Sequence, residues 1–339
     1  MRIALISFHG CPVARLGEKD TGGMNVYVLN LARELGELGH IVEVFTRYHD
    51  PSDPEIVKLS DRVNVVHIKA GPHNQEKAYL TRHIDAFVDK VHQYALDNSI
   101  DYDIVHSNYW LSGLTALSLS ELWNVPHVST FHTLAKTKMR ARAGEQESRE
   151  RADIERKVMD SATGVLVLTE AERQDIVNLY QINADKIQVI SGGVDTSTFY
   201  QVPKDEARDN LGFLHPDKKV ILYVGRIEPI KGLDVLLDAF KMLKESQEVQ
   251  LIIVGGSLSG DTKLEELRNQ AKKLCISEDV FFTGSLDQFE LRNYYSAADV
   301  FVLPSHYESF GLVALEAMAC GTPVVASRVG GISSFIQDG

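Results

Sequence analysis

Two cations five residues apart, Arg226 and Lys231, lie in the stretch Gly225-Arg226-Ile227-Glu228-Pro229-Ile230-Lys231-Gly232. The stretch follows the apolar run Val220–Val224, so it forms a loop at the carboxyl end of a strand. Fixed positive charge there suits a site where negative charge develops, as on a diphosphate leaving group. A solvated loop would also tolerate these cations, but the position after a buried strand and the flanking glycines favour a site. A second constellation is Glu308-Ser309-Phe310-Gly311-Leu312, continuing to Glu316. A helix starting near Gly311 would offer the backbone N–H groups around Leu312 to a phosphate. It would carry Glu316 slightly more than one turn along, where its carboxylate can accept bonds from ribose hydroxyls. Glu308, in the loop before, can bind sugar hydroxyls. A helix dipole alone would also favour Glu316 at that place.

Other motifs are weaker singly. Asp20-Thr21-Gly22-Gly23-Met24-Asn25 places two glycines before an amphipathic stretch, which lets a ligand approach the backbone and a helix N-terminus. A plain turn and cap reads equally well, and the motif is not GxGxxG. His132 ends the apolar run of Ser129-Thr130-Phe131-His132-Thr133, at a strand's carboxyl end. The other histidines show no HExxH-type spacing, so no catalytic metal is implied. Cys11, Cys275 and Cys320 are scattered and form neither a disulfide framework nor a zinc cluster. Residues 136–157 carry eight basic against five acidic side chains. A solvated, ion-paired helix accounts for most of that run, and a few members are left to face an anionic small molecule.

The elements that must hold these groups are legible as short Val- and Ile-rich runs. They are Arg2–Phe8, Ile41–Thr46, Val63–Lys69, Ile104–Ser107, His127–Phe131, Gly164–Leu168 and Ile187–Ile190, then Val220–Val224, Leu251–Val254, Val280–Thr283, Val300–Leu303 and Pro323–Ala326. Few alternate strictly, as expected of parallel strands buried on both faces. Helical stretches lie between them, such as Val26–Leu38, with Val28, Leu31, Ala32, Leu35 and Leu38 on one stripe and Gly39 as the stop. This order predicts an α/β chain of two doubly wound, Rossmann-like domains facing across a cleft. Residues 1–194 form the first domain and 195–339 the second, with an irregular seam around Gly192–Lys204. The second domain ends early, at Asp338–Gly339, and reads as truncated.

Composition narrows the function classes. Of 339 residues, 35 are Lys or Arg and 47 are Asp or Glu, a formal net charge of −12. Such a chain is a poor partner for nucleic acid, whose phosphates need an excess of cations, and for a membrane surface. No apolar run reaches the ~18–20 residues of a membrane span. The apolar start is too short for a signal peptide, which reads as cytoplasmic.

Taken together the motifs resemble the retaining glycosyltransferases of family 4, which have the GT-B fold. The carriers are residues 20–28, 106–113, 129–133, 224–232, 304–326 and the glycine pair 330–331. The resemblance implies that Gly23, Arg226, Lys231, Glu308, Gly311, Leu312 and Glu316 hold a sugar nucleotide, UDP-linked, with its base near Leu286. Arg15 and Leu16 stand where a Gln-Pro pair often makes a donor contact. His132 would lie beside the donor sugar and, with Arg226, Lys231 and Glu308, form the catalytic set. His9, Asp20, Thr21, Gly22, Asn25, Lys77, Tyr109, Thr133 and Arg151 match positions that hold a small phosphorylated acceptor such as an inositol phosphate. Met24 favours that acceptor; members of the sucrose-phosphate-synthase branch, which use a hexose phosphate, usually carry Gln there. Some relatives hold a structural cation near Tyr295, Ser296, Ala298 and Thr322, but none is needed for the chemistry. A helix that crosses back onto the first domain at the family's C-terminus is lacking here, and a homodimer is compatible with the reading. The rivals are a UDP-N-acetylglucosamine epimerase of the same fold and a non-catalytic sugar-nucleotide-binding fragment. A nicotinamide dehydrogenase is disfavoured, because His9-Gly10-Cys11-Pro12 stands where GxGxxG should follow the first strand.

Overall fold

The computed structural model describes residues 1–14, 21–141, 147–258 and 260–337. The chain divides into two compact units. Met1–Ala14 and Gly23–Ser191 make the first, and Gly192 onward makes the second, with which Thr21 and Gly22 also cluster.

In the first unit the strands are β1 (Arg2–Ile6), β2 (Ile41–Arg47), β3 (Ile56–Lys58), β4 (Val63–Ile68), β5 (Ile104–Asn108), β6 (His127–Thr130), β7 (Gly164–Val167) and β8 (Ile187–Val189). Its helices are α1 (Gly23–Glu37), α2 (Ile84–Asp97), α3 (Trp110–Trp123), α4 (Ala135–Ala141), α5 (Arg149–Ser161) and α6 (Glu170–Asp175). The sheet runs β3-β4-β2-β1-β5-β6-β7-β8. All pairings are parallel except the edge strand β3, which runs antiparallel to β4. Successive side chains of β1 enter opposite cores: Ile3 and Leu5 pack with Val28, Ala32, Val42 and Val44, and Ala4 and Ile6 with Phe45, Val66 and Phe87. A strand covered on both faces has no solvent face to mark with polar residues.

The second unit contains α7 (Lys204–Leu211), α8 (Leu233–Lys244), α9 (Thr262–Lys273), α10 (Gln288–Ala297) and α11 (Leu312–Ala319). Its strands are β9 (Lys219–Val224), β10 (Val249–Val254), β11 (Val280–Gly284), β12 (Val300–Leu303) and β13 (Val324–Ala326), in the parallel order β11-β10-β9-β12-β13.

Each unit's first strand therefore sits inside its sheet, with the next strand in sequence on one side and a later strand on the other. β1 lies between β2 and β5, and β9 between β10 and β12. Where the winding reverses, the two loops leaving the carboxyl edge diverge and open a crevice, which is where doubly wound sheets bind ligands.

The twelve apolar runs all contain strands, and the expected stripe on α1 needs one correction. Val28 and Ala32 are buried, but Leu38 is 73% exposed. The helix ends at Glu37, Leu38 falls in the turn that Gly39 closes at φ 92°, and buried Gly36 takes the last inward place.

Candidate functional site

In the second unit the switch-point loops are Gly225–Gly232, after β9, and 304–311, after β12. They are joined by a backbone bond from His306 N–H to the Ile230 carbonyl, 2.8 Å. Gly232 has φ 67°, and a Cβ there would strike the Pro304 carbonyl, so only glycine lets the loops close to this separation. Their side chains then meet. Lys231 Nζ donates to Glu308 Oε1 at 2.5 Å, and Ser305 Oγ donates to the same oxygen at 2.9 Å. Both members of the ion pair are largely buried, with side chains 16% and 10% exposed. Arg226 is half exposed and bridges to Glu228 at 2.9 Å; its carbonyl accepts from the buried Tyr223 hydroxyl, which anchors the loop from below.

The glycine pair of residues 330 and 331 supports Glu308 from behind. Gly331 N–H donates to the Glu308 carbonyl at 3.1 Å. Gly330, at φ 50°, lies so close that a Cβ would collide with that same oxygen. Gly330→Ala is therefore expected to cost at least about 1 kcal/mol of backbone strain, with a fall of at least ~2 °C in the melting midpoint. Calorimetry checks this, and an unchanged midpoint would mean that the glycine pair does not hold the loop.

α11 begins at Leu312 with Gly311 as its N-cap. Glu316, on its second turn, is 6% exposed, and its Oε2 accepts from the Tyr295 hydroxyl at 2.8 Å. Burial raises its carboxyl to about 7, against the lowering effect of that bond. Leu286 is half buried in the loop after β11, just before Asp287 caps α10.

The residues linked to a structural cation do lie together, but they face one another. The Tyr295 carbonyl accepts from Thr322 Oγ1 at 2.6 Å and from Ala298 N–H at 3.1 Å, and Ser296 Oγ accepts from Val202 N–H. The Tyr295 carbonyl thus accepts two hydrogen bonds, and a hard cation held here would complete its shell with further oxygens from these residues or from water.

In the first unit, residues far apart in sequence converge on one ring, that of Tyr109. Lys77 Nζ lies 4.5 Å from its centroid, the Arg151 guanidinium carbon 4.9 Å, and the His9 ring 4.6 Å. Thr133 joins them, accepting from Arg151 Nη2 through its carbonyl at 3.0 Å and its hydroxyl at 3.1 Å. His9 follows β1 and Tyr109 follows β5, so their contact spans this sheet's switch point.

Arg151 is not a solvated member of a basic helix. It is 5% exposed and pairs with Glu155 at 2.8 Å and Glu147 at 2.9 Å. Glu155 is fully buried and also accepts from Ala135 N–H and the Tyr180 hydroxyl. Burial opposes the guanidinium's charge, but Tyr109, Glu155 and Glu147 outweigh it and raise its pKa. Burial, reinforced by Lys77, Arg151 and Arg47, holds the His9 imidazole well below its usual range.

His132 is buried, and its Nε2–H donates to Asn108 Oδ1 at 2.8 Å, leaving Nδ1 as an acceptor. Burial, then His106, pushes its pKa down to about 3, so it is neutral at physiological pH. Tyr27 meets its ring edge-on at 4.9 Å.

Three observations mark this place as more than packing. Tyr109 has φ 79° and ψ 159°, a conformation nearly restricted to glycine. His132 has φ 63°. Two buried nitrogens, His9 Nδ1 and Asn108 Nδ2, have no hydrogen-bond partner among the described residues, whereas buried polar groups are normally paired with protein or ordered water.

Asn25 is buried, and its amide donates to the Cys11 carbonyl at 2.8 Å, which fixes the loop after β1. Gly23 opens α1, and Thr21 is buried. Arg15, Leu16 and Asp20 lie outside the described residues. Asn108, Ser305, Glu147 and Glu155 were not singled out from sequence. Asn108 lies inside the motif 106–113, and Glu155 stands one helical turn from Arg151, so a signal existed for both.

Comparison with known proteins fits this geometry. The family model Glycosyltransferase Family 4 matches residues 21–198, more than half of the chain, and the model Glycosyl transferases group 1 matches residues 204–339. A protein of Corynebacterium aurimucosum named D-inositol 3-phosphate glycosyltransferase is 40% identical over all of this chain and 82% of its own length. D-inositol 3-phosphate glycosyltransferase 2 of Catenulispora acidiphila is 40% identical, over 100% and 81%. Among solved structures, sucrose-phosphate synthase from Thermosynechococcus elongatus superposes with a TM-score of 0.90 at 36% identity, over 98% of this chain and 82% of that one.

Proposed function

The chain belongs to the family 4 glycosyltransferases, built on two doubly wound units of the GT-B kind, and on that premise we propose that it moves a hexose or N-acetylhexosamine, with retention, from a UDP-sugar to an inositol phosphate. The observation that carries the acceptor class is the convergence of Lys77, Arg151, Thr133 and His9 on the Tyr109 ring. Two cations and a hydroxyl beside an imidazole nitrogen with no partner among the described residues suit a phosphate with attached hydroxyls. The names of the relatives at 40% identity agree with it.

Arg226 and Lys231 neutralise the diphosphate as it departs. Lys231 exchanges Glu308 for phosphate oxygens, and the carboxylate so released accepts from the sugar hydroxyls. Glu316 accepts from ribose, and α11 turns its first N–H groups toward phosphate. His132, neutral, offers Nδ1 as an acceptor and carries no charge that would compete for the leaving group. As the anomeric carbon–oxygen bond to the diphosphate breaks and the acceptor oxygen bonds on the same face, the departing diphosphate takes the acceptor proton. The residues then act by position and charge.

The test is the acceptor with and without its phosphate. Lys77→Ala is expected to raise the acceptor KM at least about tenfold, the scale of one charge-assisted bond, with donor KM unchanged. Arg151→Ala would strand the buried Glu155, so Arg151→Lys is the cleaner probe: it keeps the charge but loses the fork that spans Glu155 and Thr133. Equal use of the phosphorylated and dephosphorylated acceptor by the wild type would refute the pocket.

A second acceptor, a hexose phosphate, is supported by the 36% identity to sucrose-phosphate synthase. Comparing myo-inositol phosphate with fructose 6-phosphate decides between them, and a thermal-shift series of UDP-, GDP- and ADP-sugars identifies the nucleotide. UDP release without any acceptor would indicate an epimerase or hydrolase instead.

A further inference from the structure

Three side chains that the transfer reaction does not use meet at the carboxyl edge of the first sheet. Cys11 follows β1, His49 follows β2, and His67 lies near the end of β4. These strands are consecutive in the sheet, so residues 56 positions apart become neighbours. The potential ligand atoms of the three all lie within 4.8 Å of one another. Cys11 Sγ is 3.2 Å from His67 Nε2. The sulfur–nitrogen edge of a tetrahedral zinc site, from bonds of ~2.3 and ~2.05 Å, is about 3.5 Å. Cys11 and His67 are each 4% exposed, and His49 is 35% exposed, which leaves an entry path.

The surroundings are also those of a metal site. His67 Nδ1–H donates to the Pro54 carbonyl at 2.7 Å, which fixes the tautomer and turns the Nε2 lone pair toward the thiol. The Asp53 carboxylate lies 2.9 Å from His49 Nδ1 and is itself held by the backbone N–H groups of His49 and Asp50. The Pro54 carbonyl is an outer partner of the kind that orients a histidine ligand, and Asp53 sets a carboxylate at ion-pair distance from the other imidazole without a hydrogen bond to its Nδ1.

We propose that Cys11, His49 and His67 form a binding site for a zinc-class divalent ion. One soft sulfur and two imidazoles select such an ion over calcium or magnesium, which require oxygen. Binding breaks the S–H bond and forms the thiolate–metal bond, and the proton leaves to solvent. Three protein donors leave one tetrahedral position to water. The ion would staple the loop after β1, which carries His9, to the ends of β2 and β4.

The test uses the full chain, stripped with a chelator and titrated with Co2+ alone. One equivalent should give an intense near-ultraviolet thiolate-to-cobalt band and tetrahedral d–d bands, displaced by Zn2+. Cys11→Ser should abolish the near-ultraviolet band, while Cys275→Ser keeps it. Because Cys11 is buried, folding of that variant is verified by circular dichroism. His49→Gln is the independent probe on a partly exposed residue and should weaken Co2+ binding at least tenfold. Asp53→Asn should weaken it ~10- to 100-fold. Absence of the band in the wild type, or its survival in folded Cys11→Ser, overturns the proposal and leaves a thiol–imidazole hydrogen bond. So does unchanged affinity in His49→Gln.

Discussion

Lys231→Ala is expected to lower kcat about 10²–10³-fold, the loss of ~2.7–4 kcal/mol that follows removal of one donor at a developing negative charge. The structure sharpens this expectation. The backbone around Lys231 is held by the close approach of Gly232 to Pro304 and by the bond from His306 to Ile230, so the ammonium has only to exchange Glu308 for the diphosphate. Two effects need separating, because the variant also leaves the buried Glu308 without its ammonium partner, with Ser305 still donating to it. Lys231→Met deletes the charge while keeping most of the stem, and exogenous amines should partly restore turnover in Lys231→Ala if the missing group acts on the leaving diphosphate. Near-normal kcat in Lys231→Ala, with the protein folded, would remove the leaving-group role.

Glu316→Gln should raise the donor KM roughly 10- to 150-fold, the range for a hydrogen bond to a charged group worth ~1.5–3 kcal/mol. Stability should move the other way. In the folded chain the carboxyl ionises near pH 7, against about 4.3 when unfolded, so folding favours its protonated form. Its contribution to stability therefore falls as the pH rises from about 4.3 to about 7, and the deficit stays in full above that window. Glutamine carries no such deficit, and the variant should melt no lower than the wild type at pH 8. For the same reason wild-type donor affinity should weaken as the pH drops below about 7, and Glu316→Gln should flatten that limb. Calorimetric UDP titrations at pH 6 and pH 8 check both statements; unchanged affinity in the variant at pH 8 would exclude the ribose role.

The frame was readable because burial on both faces turns strands into unbroken apolar runs. β3 escaped notice because Ile56–Lys58 is three residues long, antiparallel at the edge and largely exposed. The donor-side loops were readable from glycine and charge at strand ends. The pairing of Lys231 with Glu308 was not, since they stand 77 residues apart and only the order β9-β12 brings them together. Arg151 was harder. The buried positions of α5, namely Arg151, Ala152, Glu155, Val158 and Met159, follow a helical stripe, but two charges on it disguise the buried face as a solvated one. The Cys11, His49 and His67 cluster carries no local spacing at all, because its three donors lie at or beyond the ends of three separate strands.

The placement of chemistry at the two strand-order reversals bears on how such a protein diverges. Lys231 and Glu308 hang from the crossovers that leave β9 and β12, and His9 and Tyr109 from those that leave β1 and β5. The apolar cores lie beneath, in the strands and the helices that flank them. On the proposed reading, a lineage can exchange half-buried residues such as His9 and Lys77 while the strands beneath keep theirs, and it can retain Lys231 and Glu308 through such exchanges. Tyr109 and Arg151 answer to both demands, because they pack in the interior as well as face the proposed acceptor site.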